Sequence, residues 1–239
     1  MHPTACAPLQ RMLQTRRHAT PGELHAIAWF SQLKPTEQRL AERALEIGQV
    51  RQGDFVCMAG KPVRAWLGVI DGLLKMSNSR ADGSSISYAG LPSGSWFGEG
   101  TCLKREAYRY DILALRTSTI AALPLEAFHE LVNRSIAFNR FIMLQLNERV
   151  GQFISGMEID RLANTDARVA RSLAALVHPV LAPAPGNTLR ITQQELAQLI
   201  GLSRQRVNVA LVRLQKQGLV MLEYGGLRVL DAAALRDYG

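Results

Sequence analysis

Between Ile191 and Val220 the chain reads ITQQELAQLIGLSRQRVNVALVRLQKQGLV, and a single glycine governs what this stretch can become. Thr192 and Glu195 have the spacing of a capping box, in which a hydroxyl and a carboxylate satisfy the orphan amides at a helix start. Leu196 and Ile200 recur at helical spacing, and Gly201 then permits the left-handed residue that ends the helix. Ser203 caps a second helix whose inner face is Val207, Ala210, Leu211 and Leu214. Ala197 is small where the two helices must cross closely. A small residue, a glycine four later and an aliphatic six after that form the helix-turn-helix signature.

At 100° per residue the second helix leaves Arg204, Gln205, Asn208 and Val209 on the arc opposite its apolar face. Those side chains suit a major groove. Arg204 can pair bidentately with guanine, Gln205 or Asn208 with adenine, and Val209 can touch a thymine methyl. Thr192, Gln193, Ser203, Arg206 and Arg213 fall at the flanks and helix starts, where phosphate contacts belong. The following GLVMLEYGGLRVLD reads as two strands turning at Gly225-Gly226, a wing for the motif. The bland alternative is a solvated helical hairpin kept soluble by its arginines. Charge argues against it: the chain carries +8, and residues 161–239 hold ten Arg/Lys against five Asp/Glu.

Other chemistries find little support. The three cysteines, Cys6, Cys57 and Cys102, are far apart and read as free thiols, and the five histidines have no metal-ligand spacing. Neither a metal nor an iron-sulfur cluster is expected. The Gly-rich GSWFGEGT lacks the lysine of a phosphate loop, and no nucleophile elbow appears, so the chain is not read as an enzyme. No apolar run approaches the roughly 18 residues of a membrane span, and the N-terminus lacks a signal-peptide core, which points to the cytoplasm and away from membranes.

Upstream of the motif the texture changes twice. Residues 1–22 read as a flexible leader. Residues 23–124 read as a domain with two short helices separated at Pro35, followed from Val50 by β-rich runs between turn glycines, a small barrel or sandwich. Residues 125–163 have helical periodicity, with Phe138, Phe141, Ile142, Gln145, Val150, Phe153, Ile154 and Met157 near one stripe. That stripe either packs on its own barrel or forms a dimer seam; its length favours the seam. Asp166 is placed to cap the next helix, with a hinge at Asn164–Asp166, and residues 164–239 form the last unit.

This order of parts resembles the Crp/Fnr superfamily of bacterial transcription regulators. The likeness runs from about Val50 to Leu230 and rests on AWLGVIDGLLKM, PSGSWFGE, RYDILALRTSTIAALP and the helix-turn-helix itself. It implies an α+β architecture: an N-terminal cyclic-nucleotide-binding-like β barrel of jelly-roll type, a long dimerisation helix and a C-terminal winged helix-turn-helix. It further implies a homodimer on a pseudo-palindromic double-stranded operator, with RNA polymerase as a further partner. In the cyclic-AMP-binding members a Gly-Glu pair, an Arg ten residues on and a Ser after it hold ribose and phosphate. Gly98, Glu99 and Arg109 match by spacing, but Tyr110 stands at the serine, and Ser155 matches a hydroxyl on the long helix. A cyclic nucleotide, another effector, or a barrel that binds nothing because Glu99 and Arg109 pair with each other all stay open. In the second helix the family's Ser-Arg-Glu, with Arg four residues after the Glu, becomes Ser203-Arg204-Gln205 with Val209. The target should then differ from a TGTGA-type half-site while keeping the Arg204 guanine. Two other classes share parts of this layout: an effector-binding regulatory subunit of an enzyme, and a nonspecific DNA-binding protein.

Overall fold

The computed structural model describes residues 16–79, 85–183 and 187–239. Its strands are β1 (Arg17–His18), β2 (Glu46–Val50), β3 (Phe55–Cys57), β4 (Ala65–Asp71), β5 (Leu73–Ser79), β6 (Ser85–Pro92), β7 (Trp96–Phe97), β8 (Asp111–Ala114), β9 (Ser118–Pro124), β10 (Thr188–Leu189), β11 (Val220–Glu223) and β12 (Gly226–Val229). Its α-helices are α1 (Pro21–Ala26), α2 (Pro35–Ala44), α3 (Glu99–Lys104), α4 (Leu125–Arg134), α5 (Ile136–Arg161), α6 (Thr165–Leu176), α7 (Gln193–Ile200), α8 (Arg204–Lys216) and α9 (Ala232–Arg236).

Two antiparallel sheets, ordered β1-β2-β9-β4-β7 and β3-β8-β5-β6, make the barrel. Its strands are short, with β4 and β9 buried over most of their length, and are joined by tight turns; Gly72 shows why such a turn needs glycine. It joins β4 to β5 at φ +128°, and any Cβ there would lie 2.1 Å from the Ser118 hydroxyl. The interior is filled rather than hollow. Trp66 and Trp96 lie 4.3 Å apart between ring centroids, Trp29 is 5.2 Å from Trp96, and Phe138 of α5 stands 5.3 Å from Trp29 and 5.5 Å from Trp66. Large, offset and edge-on aromatic rings of this kind dominate core energetics, and here they fasten α5 to the barrel.

Four expectations need correction. The supposed leader lies in part outside the described residues, but Arg17–His18 pair with β2, Arg16 forms an ion pair with Glu46 at 3.0 Å, and Thr20 and Glu23 build a capping box that starts α1. The span 50–124 is not wholly strand, since Glu99–Lys104 is helical. The helical stretch from 125 is not one helix: it breaks at Ser135, whose hydroxyl accepts from the Phe138 amide and caps α5. Asn164, not Asp166, caps α6, accepting from the amides of Asp166 and Ala167.

The last unit packs α6, α7, α8 and the three-stranded sheet β10-β12-β11 around its own core. That core does not stop at the unit's boundary. Leu73, at the start of β5, and Leu115, just after β8, are buried in the same cluster as Leu196, Val207 and Leu211. Gly90 of β6 meets Leu176 and Leu199 so closely that a Cβ would lie 2.5 Å from a Leu176 methyl. The last unit is therefore seated on one barrel face.

Candidate functional site

The helix-turn-helix is built by local chemistry. Thr192 and Glu195 complete their capping box, the Glu195 amide donating to the Thr192 hydroxyl at 3.2 Å and the Thr192 amide to Glu195 Oε2 at 2.7 Å. Gly201 ends α7 at φ +70°, and Ser203 accepts from the Arg206 amide to start α8. Val207, Ala210, Leu211 and Leu214 are buried beneath α8. Arg204, Gln205, Asn208 and Val209 are all exposed on its other side, together with Val212, which extends the same arc. Among the described residues the side chains of Arg204, Gln205 and Arg206 make no hydrogen bond or ion pair, so two cations and one amide stand unspent around the start of α8. Asn208 accepts from the Gln193 amide at 2.8 Å, which joins the two helices at their exposed edge. Arg213 lies on the flank and pairs with Asp166 at 2.9 Å. Thr192 and Ser203 are exposed at the helix starts.

In the barrel, Gly98 adopts φ +90° and opens α3, and Glu99 follows it into the interior. Glu99 is buried, and its partner is not Arg109. Arg149 reaches down from α5 with Nε 3.6 Å from Glu99 Oε1, while its Nη2 donates to the Trp96 carbonyl at 2.8 Å and its Nη1 to Gln152 at 2.8 Å. Gln145, one turn earlier, donates to the same Trp96 carbonyl at 2.7 Å. Buried charges persist only when they are partnered, and this arginine supplies the opposite charge beside Glu99, although Glu99 Oε2 is buried without a hydrogen-bond partner among the described residues. Arg109 instead turns to the surface and donates to Glu106 at 3.2 Å. A closed pair of Glu99 with Arg109, one of the three alternatives left open by the sequence, is not formed; the cation beside Glu99 is Arg149.

Tyr110 is half-buried behind Arg109, with its hydroxyl pushed above its usual range chiefly by burial and then by the Glu99 carboxylate. Burial likewise drives the Cys57 thiol well up and Cys102 up to about 12, so both stay protonated and act as small apolar side chains. Among the described residues no group of three His, Cys, Asp or Glu stands together as a metal would need, and no helix is long and apolar enough to cross a membrane.

Beyond Tyr110 lies a cleft of about 1320 Å³ between β6, the second half of α5 and the α6 end of the last unit. Arg109, Tyr110 and Ser155 line it; Gly98 and Glu99 do not. The five residues matched by spacing are therefore divided, three on the cleft and two, Gly98 and Glu99, buried in the barrel.

Comparison with known proteins matches the barrel and the last unit separately. Residues 47–135 match the cyclic nucleotide-binding domain, and residues 167–238 match the Crp-like helix-turn-helix domain. The cyclic AMP receptor protein of Thermus thermophilus is 28% identical over 210 residues, covering 87% of this chain and 94% of that protein. The transcriptional regulator LdrP of the same organism is 27% identical, covering 76% of this chain and 91% of that one. The chain belongs to the Crp/Fnr family of transcription regulators. FixK2 from Bradyrhizobium japonicum shares the fold of this Crp/Fnr protein with a TM-score of 0.64 at 14% identity, over 80% of this chain and 95% of that one.

Within this Crp/Fnr regulator the long helix carries two apolar faces, not one. Phe138, Phe141, Ile142 and Gln145 are buried against the barrel, so the seam expected to include them is reduced to Val150, Phe153, Ile154 and Met157. Met143 and Leu144 join those four as exposed apolar side chains. Arg149 is the residue that sequence reasoning missed. The signal was available: it extends the Phe138–Ile142–Gln145 stripe by one more turn, and a charged residue on a buried stripe implies a buried partner.

Proposed function

We propose that this Crp/Fnr regulator acts as a homodimer that reads a pseudo-palindromic duplex operator through Arg204, Gln205, Asn208 and Val209 of α8. Thr192, Gln193, Ser203, Arg206 and Arg213 hold phosphates around that face. The observation that carries this reading is the contrast across α8: a fully packed inner face, and arginine and glutamine side chains at the exposed helix start that have no internal partner among the described residues. RNA polymerase is the further partner that the family likeness suggests. Neither a regulatory subunit nor a nonspecific binder requires a complete capped helix-turn-helix with unspent base-reading groups.

Binding-site selection followed by gel shift on the recovered duplex tests it. Arg204→Ala is expected to cost about 1–3 kcal/mol and to relax preference at one base pair per half-site. Arg206→Ala should weaken all duplexes alike and flatten the salt dependence. Equal loss of affinity on every duplex with Arg204→Ala, from a parent protein with no preferred site, contradicts sequence-specific reading.

Control by a small molecule is supported by the cleft, where Arg109 lies in reach of an anionic ligand and Tyr110 and Ser155 offer hydroxyls. Among candidate effectors are cyclic nucleotides, whose phosphate would have to draw Arg109 from Glu106, since Glu99 is already committed to Arg149. Any thermal stabilisation by cyclic AMP or cyclic GMP is therefore expected to vanish in Arg109→Gln. A ligand binding only the folded state at 100 times its Kd adds about 2.7 kcal/mol, a readily measured shift. Stabilisation that survives Arg109→Gln places the ligand elsewhere.

A further inference from the structure

The contact that fixes the DNA-reading unit to the barrel has its polar centre at Arg116, in the turn between β8 and β9. Its Nε donates to Glu195 Oε1 at 2.8 Å and its Nη2 to Glu195 Oε2 at 2.7 Å, a bidentate pair across 79 residues of sequence. Nη2 also donates to the Arg190 carbonyl at 2.5 Å. Glu195 is buried and is the same residue whose Oε2 accepts from the Thr192 amide and hydroxyl at 2.7 and 2.9 Å. One carboxylate thus both caps α7 and grips the barrel. The Arg116 turn is itself fixed, because the Ser118 hydroxyl donates to the Arg116 carbonyl at 2.9 Å and accepts from the Leu73 amide at 3.2 Å. Leu73 and Leu115 beside it are buried in the core of the DNA-reading unit.

Strand β8 connects this contact to the cleft. It begins directly after Arg109 and Tyr110 and ends two residues before Arg116, a span of about 20 Å at strand rise. We propose that Arg116 is a latch that sets the attitude of the recognition helix, and that β8 transmits the state of the Arg109–Tyr110 end of the cleft to it. The physical grounds are the rigidity of a central strand paired on both sides, with β3 and β5, and the fixed fork geometry of a bidentate arginine-carboxylate pair. Displacement of β8 along its axis has no slack to absorb it before Glu195, and Glu195 cannot shift without moving the start of α7. This inference rests on the reading of α8 as the DNA-contacting helix, but the latch itself can be measured without DNA.

Hydrogen exchange on the intact protein comes first. In Arg116→Ala, amides of residues 190–196 and of the hinge at Asn164–Asp166 should exchange at least tenfold faster than in the parent. Arg116→Lys, which keeps the charge but not the fork, should fall between. Glu195→Gln, which keeps a capping side chain, should loosen the hinge while leaving α7 helical by circular dichroism. The second measurement is a double-mutant cycle on the duplex recovered by site selection. Tyr110→Ser should change its Kd at least fivefold in the parent background and less than twofold in Arg116→Ala. Exchange within twofold of the parent in both Arg116→Ala and Glu195→Gln overturns the latch. A Tyr110→Ser effect that is absent, or that adds to that of Arg116→Ala, overturns transmission through β8. If the parent selects no duplex, it is the DNA-reading assignment that fails, while the exchange result still decides the latch.

Discussion

Replacing Arg149 with methionine is expected to destabilise the protein by about 3–5 kcal/mol, because it leaves the Glu99 carboxylate buried without a cation. The substitution keeps the aliphatic stem and removes only the guanidinium. That group is the cation paired with Glu99 and, like Gln145, donates to the Trp96 carbonyl. Glu99→Gln should cost far less: without the carboxylate, Arg149 still donates to Trp96 and Gln152, and a neutral amide is cheaper to bury than an ion. The double variant Arg149→Met with Glu99→Gln should recover most of the loss, giving a coupling energy of about 2 kcal/mol or more in a double-mutant cycle. Urea midpoints at unchanged m-values report it. Equal costs for the two single variants, adding in the double, would show that the pair contributes packing alone.

What could be read in advance divides by the range of the interactions. The Thr192–Glu195 box, the Gly201 turn and the Ser203 cap are each settled within five residues, so the spacing in the sequence is already the geometry. Turn glycines marked the barrel for the same reason, although the short α3 inside it was hidden by the Gly-rich GSWFGEGT. The long helix defeated periodicity because it is apolar on two sides. Phe138, Phe141, Ile142 and Gln145 face the barrel, Met143, Val150 and Met157 face away, and the two stripes merge when projected on a wheel. Spacing matched Glu99 and Arg109 to a shared cradle, yet the cation that reaches Glu99 comes from position 149, a long-range choice among arginines that no local rule makes. The seating of the last unit on Leu73, Leu115 and Arg116 was invisible for the same reason: hydrophobic residues at strand ends look alike whether they meet solvent, their own sheet or another unit.

Introducing glutamate on the outward face of α5, as Val150→Glu together with Ile154→Glu, is expected to convert the proposed dimer to monomer and to remove most of its operator affinity. Met143, Val150 and Met157 recur every seven residues and are 61%, 59% and 61% exposed in the single chain, with Leu144, Phe153 and Ile154 beside them. A seven-residue apolar repeat is the pattern that two helices bury by packing along a common seam. A contiguous apolar strip of this length is otherwise rare on a soluble surface. Four carboxylates meeting at the centre of that seam would repel one another without partners, while the barrel face of the helix, which carries the fold, is untouched. Folding stability should therefore stay close to the parent's even as association is lost, and sedimentation at micromolar concentration separates the two effects. The DNA consequence follows from geometry: two recognition helices held one helical turn apart, about 34 Å, bind both half-sites at high effective concentration. Uncoupled, each binds alone, and affinity for the full operator should fall by about 10²- to 10⁴-fold. Affinity for an isolated half-site should not change. A variant that still sediments as a dimer, or a monomer that holds the full operator as tightly as the parent, would mean that the outward face of α5 serves some other contact and that α8 reads its target singly.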